Sequence, residues 1–191
     1  MSIYFTGDLH FGHYGIIKHD KRPFETVEEM NSELIKRWNN KVGTHDTTYV
    51  LGDMFGHCNP SFVQDTLNTL KGEIVLLKGN HDQWIKNANN RALLKYIKDY
   101  DEIFVPLKNG KTVRCVLSHW FMPFYNGHFN GNIHLHAHSH VSDEAIQEER
   151  IARIMNYEGF KNEIYNVGCM YWNYEPVTLD EILKEGEKRN G

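Results

Sequence analysis

The sequence predicts an α/β fold in which two β-sheets face each other with helices outside, and three observations carry that prediction. Short apolar runs alternate with amphipathic stretches through the first half of the chain. Strand, helix, strand in repetition implies right-handed crossovers and a largely parallel sheet. After an Asn109-Gly110 turn between two apolar runs, a strong hairpin signal, strands follow at 112–117, 132–136 and 163–167 with little helix between them. That change implies a second, more antiparallel sheet. Finally, three apolar runs end alike. Ile3-Tyr4-Phe5-Thr6-Gly7-Asp8-Leu9-His10, Tyr49-Val50-Leu51-Gly52-Asp53 and Ile74-Val75-Leu76-Leu77-Lys78-Gly79-Asn80-His81-Asp82 each reach a Gly and then a potential metal ligand. Taken singly, Gly-Asn is a common turn dipeptide. Three such endings suggest one site at the C-terminal edges of the strands, where open α/β sheets bind ligands.

The remaining elements follow in order. The polar stretch from Phe11 to Phe24 reads as a loop over the end of the first strand. Thr26-Val27-Glu28-Glu29 is a capping box, and Val27, Met30, Leu34 and Trp38 recur at spacings of three or four, so a helix is expected over 27–40, closed by Gly43. Ser61-Phe62-Val63-Gln64 is read as a second capping box for a helix over 62–70, and 91–98 has helical periodicity through Ala92, Leu93 and Tyr96. Residues 144–155 read as a short helix or an excursion, because their charges leave only a thin apolar stripe. Thr178 to Glu181 starts a closing helix that ends near Gly186.

With 191 residues the chain fits a single domain, 1–191, and is long enough to bury a core without disulfides. A net charge of −4, with basic and acidic residues interspersed, argues against an extended nucleic-acid surface and for a compact substrate. Cys58, Cys115 and Cys169 are odd in number and form no Cys-x-x-Cys pair, so neither a disulfide framework nor a thiolate zinc site is expected, and a reducing cytoplasm is the expected location. No signal-peptide pattern and no membrane span is read, since no run approaches the ~18 apolar residues a span needs. Nothing in the sequence speaks to oligomeric state. Six of the twelve histidines lie between His119 and His140.

Asp8 and His10 stand two apart on extended chain, so both reach one cation, and a carboxylate beside an imidazole suits manganese, iron or zinc. Asp53 adds a carboxylate whose two oxygens allow it to bridge two ions, and Asn80 adds a neutral oxygen. His119 follows an apolar run over 113–118, and His136, His138 and His140 alternate after another. With no cysteine among them, and more ligands than one closed tetrahedral site uses, two open catalytic metals fit better than a structural zinc. In the loop from Phe11 to Phe24, His13 and Arg22 are the candidates for contacting substrate, by a donated hydrogen bond and a bidentate grip.

Gly7-Asp8-x-His10, Gly52-Asp53, Gly79-Asn80-His81-Asp82, Ser118-His119 and Ala137-His138-x-His140 resemble, in order and spacing, the five blocks of the calcineurin-like metallophosphoesterase superfamily. Phe11-Gly12-His13, Arg22-Pro23-Phe24, Asn166-Val167-Gly168 and Trp172 to Val177 are similar to a small single-domain bacterial and phage subgroup without a separate cap domain. The resemblance implies a four-layer α/β/β/α sandwich with two mixed sheets. It also implies two divalent ions, manganese favoured over iron or zinc, the first held by Asp8, His10, Asp53 and His140 and the second by Asp53, Asn80, His119 and His138. Ala137 replaces the usual Gly, which is tolerable unless that position needs a positive φ, and it leaves His136-x-His138 as a competing register.

The implied activity is hydrolysis of a small phosphoester by in-line attack of a metal-bound hydroxide. A phosphodiester is favoured over a monoester, and a nucleotide is among the candidate substrates. His81, with Asp82 orienting it, is the expected proton donor to the leaving group. Two rival readings are a scaffold module that has kept the fold and lost turnover, and a nuclease for short oligonucleotides. The complete ligand set and His81 argue against the first, and the acidic balance against the second.

Overall fold

The computed structural model describes residues 1–160 and 162–190, the side chains of 187–190 excepted. Its first sheet contains β1 (Ile3–Thr6), β2 (Thr47–Val50), β3 (Glu73–Leu77) and β4 (Tyr96–Lys98), in that spatial order and paired in parallel throughout. An antiparallel bridge between Phe5 and Val177 adds to its β1 edge. The second sheet orders β5 (Tyr100–Pro106), β6 (Thr112–Ser118), β7 (Ile133–His136) and β8 (Glu163–Asn166). Only its β5–β6 hairpin is antiparallel, and β6–β7–β8 run parallel. The second sheet is therefore less antiparallel than expected, because the segments between β6, β7 and β8 are long enough to act as crossovers.

The period-two alternation of the strands sorts the core into two layers. Val50, Ile74 and Leu76 face α2 (Val27–Lys41) and α3 (Pro60–Thr69), meeting Met30, Leu34, Trp38 and Val63. Tyr49, Leu51, Val75 and Leu77 face the other way, against Val105, Cys115, Leu117, Ile133 and Leu135 of the second sheet. Each such side chain fully withdrawn from water contributes roughly 1.5–3 kcal/mol. On the far side of the second sheet, α5 (Asp143–Tyr157) packs over β7, with Glu148 Oε2 4.0 Å from His136 Nδ1. The result is the four-layer α/β/β/α arrangement, two sheets between helical layers, the second mixed and the first mixed only through its antiparallel edge bridge.

Local signals explain most helix boundaries. Thr26 Oγ1 accepts the amide of Glu29, as its capping box requires, and Ser142 caps the fifteen-residue α5, which settles 144–155 as helix. In α6 (Leu179–Asn190), Thr178 and Glu181 exchange the reciprocal pair of bonds of a capping box.

Five expectations need correction. The cap of α3 is Asn59, which accepts the Phe62 amide and occupies Ser61 as well; Pro60 pre-sets the first turn, so the start lies earlier than Ser61. Val42, in extended conformation, ends α2, while Gly43 donates to Asp46. Helix α6 runs on past Gly186, where a Cβ would lie 2.6 Å from the Tyr165 ring, so this glycine serves close packing and not termination. The 91–98 segment holds only the end of α4 (Ala88–Arg91) before becoming β4, because the free edge of β3 recruits Tyr96, Ile97 and Lys98 into pairing. Within the stretch from Phe11 to Phe24, the chain makes a short helix, α1 (Tyr14–His19).

Candidate metal centre

Each candidate ligand sits just past a strand. Asp8 and His10 follow β1, Asp53 follows β2, Asn80 follows β3, His119 follows β6, and His138 and His140 follow β7. Parallel pairing brings these C-terminal ends to one edge. There, ligand atoms of Asp8, His10 and His140 lie within 4.8 Å of one another, and so do those of Asp53, His119 and His138. Asp53 stands between the two groups, its Oδ2 3.7 Å from His10 Nε2 and 3.7 Å from His119 Nε2. Asn80 Oδ1 is 3.1 Å from His119 Nε2, and His138 Nδ1 is 3.2 Å from the same atom.

Backbone strain concentrates at this edge. Asp8, His10, Asp53, His138 and His140 have φ of 53°, 52°, 53°, 72° and 50°, a region that costs side-chain-bearing residues of order 1–3 kcal/mol each. The turns aim the side chains together and need room to do so. At Gly52, with φ +86°, a Cβ would fall 2.2 Å from His119 Nδ1. Positive φ is thus taken by His138 and His140 and not by Ala137, which is why alanine is accommodated there.

The donor set fits divalent cations. Asp8 Oδ1 is buried and has no hydrogen-bond partner, while Oδ2 accepts the His138 amide at 3.0 Å. His119 donates Nδ1–H to the Leu51 carbonyl at 2.8 Å, so in the neutral ring the Nε2 lone pair points at Asn80 Oδ1 and Asp53 Oδ2. Acceptors converging on a common point, with no donor between them, are the arrangement a cation completes. Burial pushes the Asp8 carboxyl up to about 6 and His10 down to about 2. A positive ion there would restore the carboxylate and keep the imidazole neutral.

Comparison with known proteins agrees with this geometry. The family model for calcineurin-like phosphoesterases matches residues 1–162. The chain belongs to the calcineurin-like phosphoesterase family. It is 36% identical over 189 residues to an uncharacterized protein of Methanocaldococcus jannaschii, covering 98% of this chain and 92% of that one. It is 26% identical to the Gene 66 protein of Mycobacterium phage D29, covering 95% and 94% of the two chains. A crystal structure of a protein of unknown function from Aquifex aeolicus superposes with a TM-score of 0.68 at 23% identity, over 95% of this chain and 97% of that one, and so shares the fold. The family is one of hydrolases that act on phosphate esters with divalent metals, and this chain carries His/Asp clusters able to hold them. Among its described residues no helix is long and apolar enough to cross a membrane.

The fold places the other expected residues unevenly. His81 is exposed, its amide bound to Asp53 Oδ1 at 2.8 Å and its ring 5.2 Å from that of His10. His13 lies across the same cleft, its ring 5.5 Å from His10 and 6.1 Å from His81. His136 points away to the outer face of the second sheet, its Nδ1 3.1 Å from the Ala137 carbonyl. Asp82 does not orient His81. Its carboxylate is buried and accepts the amides of Asp53, Met54 and Gly79 and the indole N–H of Trp84, so it ties the β2 and β3 loops together.

Arg22 is likewise not a substrate clamp. Its buried guanidinium donates to the carbonyls of Leu9 and Asp8, to Asp20 Oδ2 through Nε and Nη2, and to the Met30 sulfur, which leaves nothing for a ligand. The sequence reads it as a substrate-contacting residue in a loop over the first strand end, whereas edge-to-face packing of Phe24 on Tyr174, 5.1 Å between centroids, holds the segment inward.

Two residues of the site carried no sequence signal. Asp20, its side chain 1% exposed and its sequence neighbours charged, accepts from His140 Nδ1 at 2.8 Å and from His19 Nδ1 at 2.9 Å. Burial opposes its charge, but these bonds and Arg22 hold the carboxyl below its ordinary range. Trp120, immediately after His119, is 47% exposed and lies with its ring 4.3 Å from that of His138.

Proposed function

We propose that this chain is a dinuclear-metal-dependent phosphodiesterase, a single domain without a cap, working in the reducing cytoplasm that its three free cysteines suit. Asp8, His10, Asp53 and His140 would hold one ion and Asp53, Asn80, His119 and His138 the other. The observation that carries the reading is the place of Asp53, whose Oδ2 is equidistant from a ligand nitrogen in each cluster. Two divalent ions, manganese favoured over iron or zinc, would supply Lewis acidity to the phosphoryl oxygens and to the attacking water.

The protein's own side chains do the rest. The His81 amide fixes Asp53 Oδ1 and so leaves Oδ2 for the site. The His81 ring, exposed at the mouth of a cleft of about 380 Å³ shared with His13, would hand a proton to the departing alkoxide. On the other side of Asn80 a second cleft, of about 350 Å³, is lined by Lys78, Lys86 and Trp120. A phosphoryl group held at Asn80 therefore has room for an ester group in each direction, as a diester needs and a monoester does not. A nucleotide suits the second cleft, with an indole for a base and Lys86 for a further phosphate, Lys78 being paired with Asp99.

The test is a panel assay of purified protein with manganese against model monoesters and diesters, then cyclic nucleotides and short oligonucleotides. Diesters should turn over fastest. No turnover of any ester by fully metallated protein would favour the scaffold reading, and preference for oligonucleotides the nuclease reading.

A further inference from the structure

A cavity of about 180 Å³ lies behind the His138–His140 loop, between α5, β8 and α6, on the opposite side of the second sheet from its packing with the first. Phe121, Tyr165, Tyr171 and Trp172 line it, together with His136 and Glu148. Its wall is fixed from the metal side. Asn166 Nδ2 donates to Ser139 Oγ at 3.0 Å, Tyr171 Oη donates to the His140 carbonyl, and Trp172 Nε1 donates to the Asn166 carbonyl at 2.9 Å.

Two polar groups in this cavity are out of keeping with a packed core. Glu148 is only 8% exposed, and its carboxyl takes a hydrogen bond from the Ser139 side chain, yet among the described residues no lysine or arginine pairs with it; the nearest basic group is His136 Nδ1 at 4.0 Å. A carboxyl withdrawn from water without a cationic partner is costly, and such groups are rarely buried unless something completes them. His136 is 3% exposed, and its Nε2 has no hydrogen-bond partner among the described residues. Neither residue touches the candidate metal ligands with its side chain. Aromatic faces around a carboxyl without a Lys or Arg partner and an imidazole acceptor form a surface complementary to one ligand chemistry, a small cation carrying N–H donors.

We propose that this cavity is a second binding site, separate from the metal centre, for a small primary or secondary organic ammonium ion, held by an ion pair with Glu148, a hydrogen bond to His136 Nε2 and the aromatic walls. The volume admits an alkylamine or the end of a polyamine, not a nucleotide. Burial raises the Glu148 carboxyl to about 7, so seating an ammonium ion would ionise it and release part of a proton at neutral pH.

The test is calorimetric titration of the metallated protein with n-butylammonium chloride, with n-butanol as a neutral control of similar shape. A second readout is the amide and indole NMR spectrum, in which the Trp172 Nε1–H signal should move. The ammonium should bind saturably and the alcohol should not, and Glu148→Gln should weaken the ammonium about tenfold or more while the variant keeps the wild-type NMR dispersion. Absence of saturable binding at millimolar butylammonium, equal binding of the alcohol, or unchanged affinity in Glu148→Gln would each overturn the site. None of these outcomes depends on turnover, so they are separable from failure of the phosphodiesterase reading.

Discussion

Arg22 donates Nη2 to the backbone carbonyl of Asp8 at 2.7 Å, and so holds the strained turn that carries the first ligand. With Nη1 on the Leu9 carbonyl and Nε on Asp20, one guanidinium connects the ligand turn to the carboxylate behind His140. Removing it leaves Asp20 buried without its cation. Arg22→Ala is therefore expected to destabilise the fold by about 3–5 kcal/mol and to lower metal content, as read by chemical denaturation and elemental analysis. A wild-type metal content with only a raised Michaelis constant would return Arg22 to substrate binding.

Asp53→Asn should weaken both ion sites at once, since Asp53 Oδ2 lies 3.7 Å from one ring nitrogen of each cluster. Metal occupancy should drop for both ions and turnover disappear, with circular dichroism close to wild type. Full occupancy with normal rates would remove the bridging assignment.

His140→Ala should lose the first ion and His136→Ala should keep it, because His140 Nε2 lies 3.2 Å from His10 Nε2 whereas His136 faces the outer side of the second sheet. Elemental analysis of the two variants decides between the registers.

Asp20 accepts from His140 Nδ1 at 2.8 Å and fixes which ring nitrogen faces Asp8. Partners of this kind contribute about 10–100-fold to metal affinity. Asp20→Asn should lower affinity by that order in a competition assay with a chelating dye, with the stoichiometry retained. Affinity equal to wild type would make Asp20 an anchor for Arg22 alone.

Stripping metal with a chelator should lower the melting temperature, because ions that bind only the folded chain stabilise it; at a hundredfold excess over Kd the effect is about 2.7 kcal/mol. Adding manganese back should restore the transition. A melting temperature indifferent to both treatments would mean that the acidic and imidazole clusters are stable without cations.

The sequence by itself determined what short-range rules govern. The apolar run 74–77, the Thr26 and Thr178 boxes and the three Gly-terminated runs depend on neighbours in the chain, and the strand edge they predict is the one that gathers Asp8, Asp53 and Asn80. Only the tertiary structure decided what a side chain meets when it gets there. Asp82 reads as a partner of the histidine beside it, yet its carboxylate turns back onto the Asp53 and Gly79 amides, 29 and 3 residues away in sequence. Arg22 reads as a grip on substrate, yet the carbonyls of Asp8 and Leu9 and the carboxylate of Asp20 can satisfy its fork only once the segment folds inward. Tyr96 to Lys98 read as helix until the open edge of β3 offered them hydrogen bonds. Local pattern fixes where the backbone goes, while burial makes every donor and acceptor find a partner, and those partners come from segments that no window along the chain contains.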